Sequence, residues 1–140
     1  MRTLGKRAVE PYDRPVRFLV GIDLVRTDEV GESLGVHGDR YLDRVFTDAE
    51  RQNAGTDLSR LAACFAAKEA TMKALRRGDE GLSWQSIELQ QGARAVPGLK
   101  LSGAAADLAK QKGVKELSVS LTQAGSLAAA VVLARCKSDD

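Results

Sequence analysis

The sequence predicts an α+β fold: a single domain with a mainly antiparallel sheet packed on one long helix. Three observations predict it. Residues 16–25 form an apolar, β-branched run that reads as a strand. Leu58 to Arg76 reads as one long helix, with Leu58, Leu61, Phe65 and Met72 on a common arc that is the expected core face. Leu117–Thr122 and Leu127–Arg135 read as strands joined by the hairpin-like connection Gln123-Ala124-Gly125-Ser126. Helices and strands mix in an antiparallel-leaning order, and 140 residues is the length of one domain.

The elements follow in order. Residues 1–15 are polar and charged with two prolines, and are expected to form an extended arm. After the first strand, Asp28 is placed to cap a short helix that runs to about Leu34, with Gly35 just past its end. A second short helix is expected from near Gly38 to Val45. Thr47, with Glu50 three residues on, forms a capping-box pattern that opens a third helix to about Asn53. Gly55-Thr56-Asp57 turns the chain, and Asp57 or Ser59 caps the long helix, with Gly78 beyond its end. Trp84–Leu89 and Val96–Leu101 read as strands around a turn at Gln90-Gln91-Gly92. Ser102 is placed to cap an alanine-rich helix, Gly103–Lys112, closed by Gly113. Residues 137–140 are a polar tail.

The long helix carries a carboxylate where an apolar residue is expected. Successive residues turn by about 100°, so Glu69 lies about 50° from the centre of the apolar arc and should be half sunk. An unpaired buried carboxylate is costly; it must be paired, protonated or bound to a metal. Lys73, one turn further on, is a candidate partner. A second such carboxylate is Asp23, late in the first strand between Ile22 and Leu24, where Asp is disfavoured unless it ends the strand or caps the next helix. Two carboxylates without a histidine cluster or a cysteine pair suggest a shared hard cation that keeps positions open for water and phosphate. Magnesium fits that donor set better than zinc.

Gly21-Ile22-Asp23-Leu24-Val25, followed by Phe65-Ala66-Ala67-Lys68-Glu69-Ala70-Thr71-Met72-Lys73-Ala74, resembles the holo-acyl-carrier-protein synthase type of 4′-phosphopantetheinyl transferase. Other segments fall in that family's order: Phe46-Thr47-Asp48-Ala49-Glu50, Ser83–Leu89, Pro97–Leu101, Ser118–Thr122 and Ala128–Val132. The resemblance spans residues 16–136. It implies transfer of 4′-phosphopantetheine from coenzyme A to a serine of an apo acyl carrier protein, with magnesium, release of 3′,5′-ADP, and homotrimers whose clefts lie at subunit interfaces. It implies Asp23 and Glu69 as metal ligands and Lys73 as the phosphate-contacting lysine, with Ser120 and Thr122 near coenzyme A. Lys68 is expected to touch coenzyme A or a neighbouring subunit, or to be solvated. Arg76 and Arg77, followed by Gly78, stand where the family has a glycine-rich loop; they either bind phosphate or complement the helix dipole.

Three departures stand out. Leu121 occupies the family's histidine position in the final hairpin. Cys64 replaces an arginine before the long motif and reads as a small buried hydrophobe. Glu29 stands where an arginine usually meets the carrier protein, while Arg40 and Arg44 keep the next helix basic. The alternative is therefore a weakened or specialised relative that binds coenzyme A or a carrier protein.

Composition is consistent with these readings. Lys and Arg total 21 against 19 Asp and Glu, a net charge of +2. That balance excludes a dedicated nucleic-acid binder but allows a local basic patch facing an acidic partner. No apolar run approaches a membrane span, and residues 1–7 lack a signal peptide's apolar core. Cys64 and Cys136 have no metal-ligand spacing and read as reduced thiols of a cytoplasmic protein. His37 is expected in a solvated glycine-rich turn, and Trp84 in the core.

Overall fold

The structure, a computed structural model, describes residues 16–76, 81–91 and 96–138. The expected arm, the end of the tail, Arg77 and Gly78 lie outside the described residues. Among the described residues five strands and five α-helices follow in the order β1 (Arg17–Arg26), α1 (Thr27–His37), α2 (Asp39–Val45), α3 (Asp48–Ala54), α4 (Leu58–Leu75), β2 (Ile87–Gln90), β3 (Gly98–Leu101), α5 (Gly103–Gln111), β4 (Val114–Ala124) and β5 (Leu127–Cys136). Strands β1, β5 and β4 form an antiparallel sheet in that order, and β2 and β3 form a separate antiparallel pair. The α+β prediction holds.

One face of the three-stranded sheet packs on α4. Alternation along the strands sends Val25, Val119, Ala128, Ala130 and Val132 into that core, against Ala62, Ala66, Ala67 and Ala70 of α4. Small residues on both sides let the helix lie close to the sheet. Gly21 sets the limit of that approach: a Cβ there would lie 1.8 Å from the Ala70 carbonyl oxygen. The opposite face of β1 carries Phe18, Val20, Ile22 and Leu24, all exposed, the last at 64%.

Several local expectations change. Asp28 does not cap α1; β1 runs straight into the helix from Arg26, and the Thr27 N–H donates to the Ser126 carbonyl. Asp28 and Glu29 therefore sit in the first turn, where negative charge complements the helix dipole. The helix also runs past Gly35 to His37, because the positive φ of 58° that breaks it belongs to Gly38. His37 is thus an exposed last-turn residue rather than part of a turn. Asp57 caps α4, accepting from the Ser59 and Arg60 N–H groups. Ser102 precedes α5 without a side-chain cap; its own N–H donates to the Ser86 carbonyl. Trp84 lies in a single 3-10 turn, half-buried and stacked on Phe65 at 5.0 Å, and the strand begins at Ile87. The next strand begins at Gly98 rather than at Val96.

Candidate active site

Helix α4 is buried nearly all round. From Leu61 to Leu75 every residue is buried except Phe65, Glu69 and Lys73. These three are spaced by four, so they form one stripe along the helix. The core is therefore wider than the single arc expected from the sequence, and Phe65 marks its edge rather than its centre.

Strand β1 lies beside this stripe. Gly21 brings the strand backbone against Ala70, the neighbour of Glu69. Asp23, two residues further along the same face, meets Lys73: Nζ lies 2.8 Å from Asp23 Oδ1 and 3.2 Å from the Ile22 carbonyl oxygen. The Asp23 side chain is only 12% exposed, that of Lys73 50%. The lysine thus pairs with the strand carboxylate rather than with Glu69. Glu69 is half-sunk as expected. Burial raises its pKa above the usual carboxylate range, the Asp23 charge raises it further, and Lys73 and Arg76 act the other way.

A half-sunk carboxylate whose ionisation is opposed by burial and by a second carboxylate, with one flexible ammonium between strand and helix, is an arrangement that a cation relieves. Among the described residues no third His, Cys, Asp or Glu joins them. Two carboxylate ligands leave most of an octahedron for water and phosphate oxygens, which is how magnesium is commonly held. The donor set fits that ion.

Lys68, one residue from Glu69, points elsewhere. It is fully buried, and its Nζ donates to Glu50 Oε1 at 2.6 Å. The expectation that it touches coenzyme A, a neighbouring subunit or solvent is corrected: about 100° of helix rotation separates it from the open stripe. Glu50 joins three elements. Its Oε1 also accepts the Thr47 N–H, completing the capping box of α3, and its Oε2 accepts from the Leu89 N–H and the Cys64 thiol. Burial, then the Glu50 charge, push the Cys64 thiol pKa far up, so Cys64 is an inert donor. The capping-box pattern signalled Glu50 locally; its buried partner on α4 was not visible from it.

Ser120 and Thr122 are exposed on the outer face of the sheet, because Val119 and Leu121 point inward. Leu121 shares the face of Asp23; both are registered against Ala130. Within one chain, therefore, Ser120 and Thr122 do not join Asp23 and Glu69. Arg76 follows α4 in an extended conformation, close enough to lower the Glu69 pKa. At the Phe65 end of the stripe lies a cavity of about 160 Å³ lined by Val25, Glu29, Val30, Ser33, Tyr41 and Phe65. Burial, helped by Cys64, raises the Tyr41 pKa to about 12, so the phenol stays neutral.

Two carboxylates and a lysine at the seam of a strand and a helix make a class of site that suits a hard cation with an anionic group beside it. The sequence model of the 4′-phosphopantetheinyl transferase superfamily matches residues 19–132. The holo-[acyl-carrier-protein] synthase of Moorella thermoacetica is 44% identical over 119 residues, covering 81% of this chain and 90% of its own. That of Herpetosiphon aurantiacus is 35% identical over 123 residues, covering 83% and 97%. Among solved structures, an ACPS–CoA complex of Chronobacterium ammoniagenes superposes with a TM-score of 0.76 at 30% identity, covering 86% of this chain and 98% of that one. The Helicobacter pylori holo-[acyl-carrier-protein] synthase in complex with coenzyme A gives 0.74 at 27% identity, covering 83% and 99%. The chain belongs to the 4′-phosphopantetheinyl transferase superfamily, in its holo-acyl-carrier-protein synthase type, and is an enzyme. Among the described residues, no helix is long and apolar enough to cross a membrane.

Proposed function

We propose that residues 16–136 form a magnesium-dependent domain that transfers 4′-phosphopantetheine from coenzyme A to a serine of an acidic apo acyl carrier protein, in fatty acid or polyketide biosynthesis. The observation that carries this reading is the convergence of Asp23, Glu69 and Lys73 at the seam between β1 and α4. In the reaction the serine oxygen bonds to the β-phosphorus of coenzyme A. The bond from that phosphorus to the leaving oxygen breaks, 3′,5′-ADP departs, and the serine proton passes to solvent.

Asp23 and Glu69 would hold the magnesium ion, which when bound supplies charge neutralisation on the pyrophosphate and Lewis acidity. Lys73 has the reach for a second task. Its half-exposed ammonium rests on Asp23 in this structure, and its four-carbon stem can turn to a phosphate oxygen and stabilise charge developing there. Arg76, and Arg77 and Gly78 after it, are assigned to the phosphates of coenzyme A. Gly21 fixes the distance between the two carboxylate-bearing elements, which the attack geometry requires.

The working form is a homotrimer in the cytoplasm. A subunit contact is supported by the outer sheet face, where exposed Phe18, Val20, Ile22 and Leu24 of β1 adjoin Val131 and Leu133 of β5. A continuous apolar strand face of this kind marks a protein contact. Ser120 and Thr122 lie on that same outer face, so they would reach a bound coenzyme A across a subunit boundary. A carrier preference differing from that of a general fatty-acid enzyme follows from α1, whose exposed Asp28, Glu29 and Glu32 would repel an acidic partner helix.

The test is mass spectrometry of apo acyl carrier proteins incubated with this protein, coenzyme A and magnesium, beside Glu69→Ala and a chelator. A gain of one phosphopantetheine mass, lost in both controls, supports the reading. No gain on any fatty-acid or polyketide carrier, with coenzyme A bound, would replace it with a binding-only relative.

A further inference from the structure

Far from the Asp23–Glu69 seam, a cavity of about 480 Å³ opens between α5, β3 and β4. Its lining is divided by chemistry. Leu99 and Leu101 of β3, Leu117 of β4 and Ala109 of α5 supply apolar surface, and Lys110, Lys115 and Lys137 supply ammonium groups. The leucines are half-buried and the lysines exposed, so the apolar part lies beneath a cationic edge. The site is held by regular structure: the Lys137 N–H donates to the Gly113 carbonyl at 2.8 Å, fixing the end of β5 beside the turn into β4. The size is that of a small-ligand pocket.

Lys115 and Lys137 are neighbours, and Arg135 adds a third positive charge; the pKa of Lys115 falls because of the Lys137 contact first and the charges of Lys137 and Arg135 after it. Among the described residues the one carboxylate lining the cavity, Glu116, is paired with Arg135. Among the described residues no carboxylate lies within ion-pair distance of Lys110, Lys115 or Lys137. Two adjacent ammonium groups above an apolar floor match one kind of ligand, an anionic head on an apolar body.

We propose that this cavity is a second ligand site, which binds amphipathic anions with the phosphate or carboxylate head between Lys115 and Lys137 and the alkyl body on Leu99, Leu101 and Leu117. It is separate from the transfer site. Cys136, which pairs with Val114 at the cavity, is registered against Arg17, six residues along β1 from Asp23, about 20 Å at the usual strand rise. The inference therefore stands whether or not the transfer reaction does.

The experiment is titration calorimetry with decyl phosphate, decanoate, 1-decanol and inorganic phosphate, each below its aggregation concentration, on the full chain. Decyl phosphate or decanoate should bind saturably at one site per chain. Shortening the tail should weaken binding about fourfold per methylene. Lys115→Gln/Lys137→Gln should weaken the anion at least tenfold, and Ala106→Phe, which fills part of the cavity, should abolish binding. Both substituted proteins should unfold at the parent temperature, since Lys115 and Lys137 are exposed and Ala106 is partly so. Binding of decyl phosphate alone identifies a phosphate head, and binding of both anions a general one; either supports the site. Inorganic phosphate binding as tightly as decyl phosphate, decanol binding as tightly as either anion, indifference to the lysine pair, or no saturable binding would overturn it.

Discussion

Gly21→Ala isolates the contact on which the site geometry depends. The added Cβ would stand 1.8 Å from the Ala70 carbonyl oxygen and 2.8 Å from both the Ala70 carbonyl carbon and the Ala74 nitrogen. Real Cβ contacts essentially never fall under 3.0 Å, so the strand and helix must separate by at least 1.2 Å there. The obstacle is helix backbone, which cannot rotate aside as a side chain would. Overpacking of this kind costs about 3 kcal/mol or more. With a urea slope of about 1–3 kcal/mol/M, the midpoint should fall by about 1–3 M at fixed protein concentration. Trp84, the only tryptophan, reports the transition.

The functional effect should exceed what stability alone would give. Gly21 is two residues from Asp23, and Ala70 is next to Glu69, so the separation falls directly between the two carboxylates. A misplacement of about 1 Å costs about a hundredfold in rate. The transfer rate of the folded protein should fall by that order, and magnesium-dependent stabilisation should weaken with it. Gly35→Ala is the control: it lies inside α1 with open space around its Cβ position, and should stabilise by about 0.5–1 kcal/mol. A Gly21→Ala protein with the parent midpoint and the parent rate would refute the argument that this close approach sets the site.

Three further outcomes follow from the same geometry. Because Glu69 has a raised pKa in the folded chain, the folded state holds its proton where the unfolded state has lost it, so this residue's contribution to stability falls as pH rises from about 4.5 through the raised value. Glu69→Gln should flatten that decline in a thermal-unfolding series and be the more stable protein at neutral pH without magnesium; an unchanged slope would count against the assignment. Lys68→Met leaves the Glu50 carboxylate buried without its counter-charge and should cost about 3–5 kcal/mol by chemical denaturation, with much of the loss recovered in Glu50→Gln/Lys68→Met. Lys73→Met takes the ammonium away from an Asp23 carboxylate that is only 12% exposed and should cost about 1–3 kcal/mol without magnesium, leave magnesium affinity equal or stronger, and lower kcat about 10²–10³-fold in the transfer assay.

Glu69 and Asp23 were legible because each is a carboxylate inside an otherwise apolar element, an anomaly that survives without knowing the fold. Two such anomalies suggested a shared cation, while the roles of metal ligands came through the family resemblance, since spacing along a chain does not bring a strand to a helix. The reverse holds for Lys68. Lys68 lies about 100° from Glu69, hence about 50° from the centre of the apolar arc on its other side, and was read as reaching a ligand, a neighbouring subunit or solvent; that α3 and β2 cover that side of α4 is a tertiary fact. Ser120 and Thr122 show a third case. Their alternation with Val119 and Leu121 was in the sequence, but which face carried the site depended on the register that aligns Leu121, Ala130 and Asp23. Gly21 had a readable signal, a glycine inside a strand marking close backbone approach, although its partner was not named by it.

Lys68 and Glu69 are adjacent charges with opposite positions, and the difference explains how the site is aimed. A helix packed by alanines has little to fix its rotation, because small side chains interlock weakly. Lys68 supplies that constraint. Its ammonium reaches Glu50 at 2.6 Å and lies 6.0 Å from the centre of the Phe46 ring, and Glu50 in turn accepts the Thr47 and Leu89 N–H groups. Both carboxylate oxygens are occupied, so the desolvation of the pair is met by charge-assisted hydrogen bonds that tie α3 to α4 and β2. Turning α4 by one residue, about 100°, so that Glu69 took the place of Lys68, would set Glu69 against the Glu50 carboxylate, carry Lys68 on to the buried place of Ala67, and leave Ala70 where Glu69 had been. The first two changes set like charges together or strip a buried charge of its partner. The buried pair therefore selects the rotation at which Glu69 and Lys73, rather than their neighbours, face Asp23.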